Sequence, residues 1–221
     1  MRSFFQVLTV PAWWLISLFG GSGNLTWGRG WVCTFLYLGA LIICRVIINR
    51  LNPGLLEQRE KPIRQDTKSF DKMFLRVFLS LTILQPIIAG VDKRFNGAPI
   101  PLAAVYPGII LFMIAATVIT WVLVENPHAE SSVRIQVDRG HHVVVSGPYR
   151  FVRHPMYVGL IFLHASIALI LGSMWNLGLA ALIAILFLWR TALEDQTLRR
   201  ELPGYEEYAT VTRYRIVPGI W

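Results

Sequence analysis

Charge is scarce in this sequence. Of its 221 residues only 15% are Asp, Glu, Lys or Arg, against 54% hydrophobic, a balance far from that of water-soluble domains and typical of a membrane protein. Cysteine is scarcer still. Cys33 and Cys44 share one apolar run, where a continuous helix would hold them about 16 Å apart, too far for a disulfide. There is no Cys-x-x-Cys and no His-Glu-x-x-His, so no metal is expected. Acidic residues number 13 against 21 Lys and Arg, a net charge of +8. In a soluble chain that excess would suggest nucleic acid, but here the basic residues sit in short segments between apolar runs and read as topology signals, so no nucleic-acid partner is expected. Internal repeats and low-complexity tracts are also lacking. One membrane domain over 1–221 is expected, divided into variable N-terminal spans (1–144) and a functional core (145–221).

What is present is a series of apolar runs. Phe4 to Phe19, with Pro11 and Trp13-Trp14, precedes a glycine-rich turn. It reads as a retained, short first helix rather than a signal peptide, because the basic start is a single Arg2 and no small-x-small cleavage site stands out. Trp31 to Ile48 is the second run. From Arg50 to Lys72 the chain is polar, broken at Asn52-Pro53-Gly54 and mixed in charge through Glu57, Arg59, Glu60, Lys61 and Arg64. This is expected to be a solvated surface segment, with Leu55 and Leu56 laying part of it on the bilayer. Met73 to Gly90 is the third run, with a kink expected at Pro86. Leu102 to Val124 is uncharged and long enough for a hydrocarbon core. Arg134 to Val145 suggests a short extended or hairpin-like loop. Pro155 to Trp189 carries no formal charge and has Gly172-Ser173 and Asn176 at its middle, the pattern of a helical hairpin. From Arg190 a water-facing helix is expected, then a break at Pro203-Gly204 and a second short helix. The fold class is therefore all-α, a polytopic membrane protein of about six transmembrane helices, with a C-terminal hairpin and cytoplasmic tail helices.

Six crossings put both termini on one side of the membrane. With that side cytoplasmic, 18 of the 21 basic residues lie inside and Arg29, Lys93 and Arg94 outside, as the positive-inside rule prefers. The loop after the fourth run, the polar tail and the stretch Gly147 to Gly159 then all face the cytoplasm.

That stretch reads Gly-Pro-Tyr-Arg-Phe-Val-Arg-His-Pro-Met-Tyr-Val-Gly and concentrates the chemistry. Pro155 is placed to start a helix, at whose N-terminus backbone N–H groups are free for an anion. The hairpin returns at Arg190, which brings Arg153, His154 and Tyr157 near Arg190 and Glu194. Arginine pairs bidentately with carboxylate, aromatic faces attract cations, and carboxylates bind hydroxyls or an ammonium. S-adenosylmethionine carries all of these groups. The plainer alternatives are headgroup anchoring by Arg150 and Arg153, a solvated face at Glu194-Asp195, and an interfacial belt at Tyr205 and Tyr208. His141 and His142 read as loop residues, and His164 as a histidine hydrogen-bonded between helices.

Arg153-His154-Pro155-Met156-Tyr157-Val158-Gly159 resembles the Arg-His-Pro-x-Tyr-x-Gly signature of the isoprenylcysteine carboxyl methyltransferase family, whose wider group includes phospholipid N-methyltransferases. Glu194-Asp195, Leu198, Pro203-Gly204-Tyr205, Tyr208 and the end from Arg213 to Pro218 are similar to that family's acidic pair, tyrosine pair and basic-proline terminus. Asp195 departs from the more usual second glutamate. The resemblance covers about a third of the chain, Val145 to Trp221, and Asn52-Pro53-Gly54-Leu55-Leu56 is similar to bacterial members. It implies a membrane methyltransferase that takes S-adenosyl-L-methionine from the cytoplasm and a lipophilic acceptor from the bilayer. Arg153 and Glu194 are the implied catalytic residues. Tyr149, His154, Pro155, Tyr157, Gly159, Asp195, Tyr205 and Tyr208 are the implied cofactor contacts.

Carboxyl O-methylation of an isoprenylcysteine-like group is the expected reaction. Lipid amine N-methylation stays open, as does a nicotinamide-dependent reductase of the sterol and steroid type, whose Tyr-Arg-x-x-Pro ending Tyr214 to Pro218 also matches. A membrane scaffold with no cofactor is the non-enzymatic alternative. The acceptor's identity and the oligomeric state are not encoded in any motif.

Overall fold

The computed structural model describes residues 2–60, 63–95 and 99–221; Lys61, part of the expected polar connection, lies outside them. Apolar runs with no hydrogen-bonding partner in lipid must satisfy their own backbones, and among the described residues they do so only as helices. In order these are α1 (Arg2–Leu15), continued as one wider turn over Ile16–Gly20, α2 (Gly28–Leu51), α3 (Leu55–Arg59), α4 (Ser69–Arg94), α5 (Val105–Glu125), α6 (Pro155–Leu171), α7 (Met174–Glu201) and α8 (Tyr205–Val211). Short 3-10 turns precede α5 and occur at Val137–Arg139 and Gly147–Arg150.

Four helices are long and apolar enough to cross a membrane: Gly28–Leu51, Ser69–Arg94, Leu102–Glu125 and Met174–Glu201. Two shorter apolar helices, Thr9–Gly20 and Pro155–Leu171, accompany them. Large apolar side chains such as Phe35 (70% exposed), Ile110 (62%) and Ile185 (62%) point away from the packed interior, an outer surface suited to hydrocarbon rather than water. The chain is an integral membrane protein.

The expected hairpin is present as α6 and α7. Gly172 ends α6 at φ +78°, and a side chain there would collide with the guanidinium of Arg29. Arg29 is occupied by three carbonyls, its Nε bonding Ile170 O at 2.7 Å and its two terminal nitrogens bonding Leu169 O at 2.7 Å and Ile100 O at 2.8 Å. It caps the last turn of α6, where carbonyls lack helical partners. At the other end Pro155 is the first residue of α6, as its missing N–H and fixed φ favour. The α5–α6 pair packs most extensively, through small residues. An added Cβ at Gly159 would meet Ile119 Cγ1 at 2.7 Å, and one at Gly108 would meet Ile170 Cγ1 at 2.9 Å.

Three expectations change. The helix expected to face water after Arg190 is the unbroken continuation of α7 to Glu201, and Arg190, Thr191 and Asp195 on it are buried. Leu55 packs against Ile48 and Leu123, not the bilayer, because Asn52 bends the chain back and donates to Leu123 O at 2.8 Å. Residues 134–145 form a 3-10 turn and coil instead of strands, because their polar groups bond within the loop and to neighbouring carboxylates. His164 is held between helices as expected: Gln85 Nε2 donates to His164 O at 3.1 Å while Gln85 Oε1 lies 2.7 Å from His164 Nδ1. Gln85 precedes the Pro86 that sits inside α4.

Candidate active site

A cavity of about 470 Å³ lies where the start of α6, the middle of α7, α4 and the 126–144 loop converge. Of the expected site residues, Tyr149, Arg153, His154, Pro155, Tyr157, Glu194, Tyr205 and Tyr208 line it. Gly159 and Asp195 do not. Gly159 is one turn deeper, pressed on α5, and Asp195 is fully buried behind the cavity wall. The separation of Glu194 from Asp195 follows from helix geometry. Neighbours on a helix point about 100° apart, so only one of an adjacent acidic pair can face a given side.

Asp195 is the hub of an ion network. Arg153 meets it with two nitrogens, Nε to Oδ1 at 2.7 Å and Nη2 to Oδ2 at 3.1 Å. Arg199 Nε and Arg215 Nε reach Oδ2 at 3.2 and 3.0 Å, and the Tyr205 hydroxyl donates to Oδ1 at 3.0 Å. His154 Nε2 lies 3.4 Å from Oδ1. The third nitrogen of Arg153 bonds the carbonyls of Thr212 and Arg213 at 2.8 and 2.6 Å. Backbone bonds from Arg153 N to Tyr214 O and from His154 N to Arg215 O, both 2.9 Å, fasten the C-terminal segment to the motif. Arg153 is thereby saturated by the protein itself. A carboxylate buried with so many donors must keep them, since removing one partner of a buried ion pair leaves the other charge uncompensated.

The groups facing the cavity are different. The Tyr157 hydroxyl donates to Glu194 Oε2. Arg190, one helix turn before Glu194, pairs through Nε with Asp71 Oδ1 at 2.8 Å and donates to Ser131 O at 3.0 Å. Its guanidinium lies 4.3 Å from the Phe74 ring centre and 5.2 Å from that of Tyr157, a stacked cation between aromatic faces. Asp71 also accepts the N–H of Val133 at 2.6 Å, and so anchors the loop over the cavity. Tyr149 and Tyr208 stand opposite. Asn126 Nδ2 donates to the Tyr149 hydroxyl at 2.7 Å, and the Tyr208 hydroxyl donates to Tyr149 O at 2.7 Å. Burial raises the phenols of Tyr149 and Tyr205, and pushes that of Tyr208 up to about 12, so they remain neutral hydrogen-bond donors at physiological pH. Tyr205 and Tyr208 are buried, not a lipid-facing belt, and Tyr149 is half-buried against them.

Sequence reasoning missed the loop roof. Glu130, with its side chain 1% exposed, binds Arg134 at 2.8 Å, and both line the cavity. His128, His141 and His142 gather beneath it, with ring centres 4.6 and 4.8 Å from that of His128. Burial, then the neighbouring histidines, lowers His141 to about 4. Burial followed by His142 also lowers His128. No group of three or more His, Cys, Asp or Glu suited to a metal occurs among the described residues. Toward the helices the cavity turns apolar, walled by Leu75, Phe78 and Leu79 of α4, Leu160 of α6 and Phe187 of α7.

Residues 108–200, from the first turn of α5 to the end of α7, match the family model described as Isoprenylcysteine carboxyl methyltransferase (ICMT) family. No curated protein matches the chain. The matched stretch contains the Arg153 to Gly159 signature, the hairpin and Glu194-Asp195, and over it the chain is similar to the isoprenylcysteine carboxyl methyltransferase family.

Proposed function

We propose that the protein is an S-adenosylmethionine-dependent methyltransferase acting on a lipophilic acceptor, by carboxyl O-methylation of an isoprenylcysteine-like group. The observation that carries this reading is the two-sided cavity, with Tyr157, Glu194, Arg190, Tyr149 and Tyr208 at one end and apolar walls from α4, α6 and α7 at the other. Its volume of about 470 Å³ is in the range of small-molecule sites. Its donor set suits a zwitterionic cofactor, with aromatic faces for a cation, Glu194 for an ammonium or hydroxyls, and guanidinium groups for a carboxylate.

S-adenosylmethionine, when bound, supplies a methyl group already activated by its sulfonium, so the protein need not provide a nucleophile. The chain's task is to align acceptor and donor and to exclude water. The loop at 126–144, tied down by Asp71, Arg190 and Arg134, roofs the polar end. Glu194 orients Tyr157 by accepting its proton-bearing hydroxyl. Arg153 acts one step back, holding Asp195 and the C-terminal segment so that Tyr205 and Tyr208 close the wall. An acceptor carboxylate is ionised at neutral pH and needs no base; an amine acceptor would have to release a proton, for which Glu194 is the cavity's available acid–base group.

The proposed topology has six crossings with both termini and the polar end of the cavity cytoplasmic. It rests on the distribution of the 21 basic residues and on α6 joining α7 as a second, shorter arm. The deciding experiment exposes purified protein to radiolabelled S-adenosylmethionine and, separately, to reduced nicotinamide cofactor. Retention of the first supports the reading. Retention of the second would assign a reductase, and of neither a scaffold.

A further inference from the structure

Arg59 stands outside the matched family region, on the connection between α2 and α4, yet it lines the cavity. Its placement is built in steps. Asn52 Nδ2 ties the end of α2 to Leu123 O and Asn126 O, at 2.8 and 3.3 Å. Gly54 turns the chain at φ +88°, and Leu55, 1% exposed, plugs α3 between α2 and α5. Arg59 is then delivered to the roof, where one terminal nitrogen donates to Ala129 O. Among the described residues the rest of its fork has no protein acceptor and no carboxylate within ion-pair distance.

The other cations of the cavity are provided for. Arg134 has Glu130, Asp66 and Asp138; Arg153 has Asp195; Arg190 has Asp71. Arg76 is exposed. The cavity's two acids are engaged, Glu130 by Arg134 and Glu194 by the Tyr157 hydroxyl. Burial and the like charge of Arg190 both act against the charge on Arg59 and lower its pKa. A guanidinium kept at a cavity wall beside another, with its planar fork unfilled, is complementary to an anion that binds by two parallel hydrogen bonds.

We infer that Arg59 is a carboxylate-binding residue of this site, holding the carboxylate of the acceptor or of the methyl donor by the nitrogens that no protein group occupies. The inference rests on the methyltransferase reading and extends the site to a residue before the family match.

The test measures equilibrium binding to the full chain in lipid nanodiscs for two pairs of ligands. One pair is S-adenosylmethionine and its decarboxylated form; the other is N-acetyl-S-farnesylcysteine and its carboxamide. Wild-type protein should prefer the carboxylate member of at least one pair by tenfold or more. In Arg59→Gln that ratio should fall toward one while the carboxylate-free member binds as before, and the pair affected identifies the source of the carboxylate. Arg59→Lys, which keeps the charge without the fork, should give an intermediate ratio and serves if the Gln variant does not fold. A merely structural role would weaken both members of a pair equally. Wild-type ratios surviving in the variants would overturn the inference alone, whereas wild-type protein that retains none of the four ligands would overturn the methyltransferase reading and the inference together.

Discussion

Arg153 grips Asp195 with two nitrogens across 42 positions of sequence, at 2.7 and 3.1 Å, and both side chains are buried. The pair binds the start of α6 to the C-terminal turns of α7, and Arg153 also holds the carbonyls of Thr212 and Arg213. Asp195→Asn should therefore act first on stability. Breaking a buried, hydrogen-bonded ion pair by removing one charge costs about 3 to 5 kcal/mol. The expected result is a large drop in the thermal midpoint in detergent, with early proteolysis after Thr212; an unchanged midpoint would remove Asp195 from its place as hub.

Glu194 should behave in the opposite way. It faces the cavity and meets only the Tyr157 hydroxyl among the protein groups described. Glu194→Gln keeps shape and loses charge, so stability should hardly move, while affinity for S-adenosylmethionine should fall about ten- to a hundredfold, the equivalent of one charge-assisted hydrogen bond. Arg153→Ala should weaken binding too, but together with the thermal midpoint, since its nitrogens are committed to Asp195, Thr212 and Arg213. Binding isotherms beside melting curves separate the two kinds of residue.

Sidedness can be read by labelling in a variant lacking Cys33 and Cys44. Asp138, with its side chain 56% exposed, and Phe95, 75% exposed, offer accessible positions at opposite ends of the fold. An impermeant thiol reagent applied to sealed cells should modify Phe95→Cys and spare Asp138→Cys. The reverse pattern would invert the proposed topology.

His141, under the roof, is expected to make the stability of the loop depend on pH. His141 binds its proton at about 4 in the fold, against 6.5 ordinarily, so between those values the unfolded chain takes up a proton that the folded chain refuses. Stability contributed by neutral His141 is complete above pH 6.5 and declines as pH falls toward 4. Melting curves between pH 7.5 and 4.5 should show a fall that is smaller in His141→Gln.

Acceptor length offers a fourth kind of measurement. A cavity that is polar at one end and walled by Leu75, Phe78, Leu79 and Leu160 at the other should reward each buried methylene by about 0.8 kcal/mol until the groove is filled. Methyl-transfer rates in proteoliposomes, with acceptor expressed per lipid, should climb from short to prenyl-length acceptors. Equal turnover of a short hydrophilic acceptor would redirect the reading to a small-molecule methyltransferase.

The helices were legible because lipid leaves the backbone no alternative: uncharged runs at Leu102–Val124 and Pro155–Trp189 and the proline at 155 mark their own boundaries. The convergence of Tyr157 with Glu194 was legible from the hairpin alone. What spacing could not reveal was the division between neighbours. Glu194 and Asp195 look like one acidic pair in sequence, and only the helix rotation sends one into the cavity and the other into the ion network. Gly159, expected at the cofactor, is outside the cavity lining and sits where Ile119 leaves no room for a side chain. Arg59, Asp71 and the histidine loop were invisible as site residues, since each is brought in by long-range contacts. A partial signal existed in Asn52-Pro53-Gly54-Leu55-Leu56, whose turn and buried leucine aim Arg59.

The capping of α6 by Arg29 divides the hairpin's two ends mechanically. At the Gly172 end a single side chain from α2 is bolted to three carbonyls drawn from α6 and from the segment before α5, which ties α2, α6 and the α5 approach together there. At the Pro155 end the partners are carboxylates on α7 together with the C-terminal segment, which bonds back to Arg153 and His154. The part of the protein before the family match thus supplies, through Arg29, the clamp that closes the far end of the hairpin from the cavity.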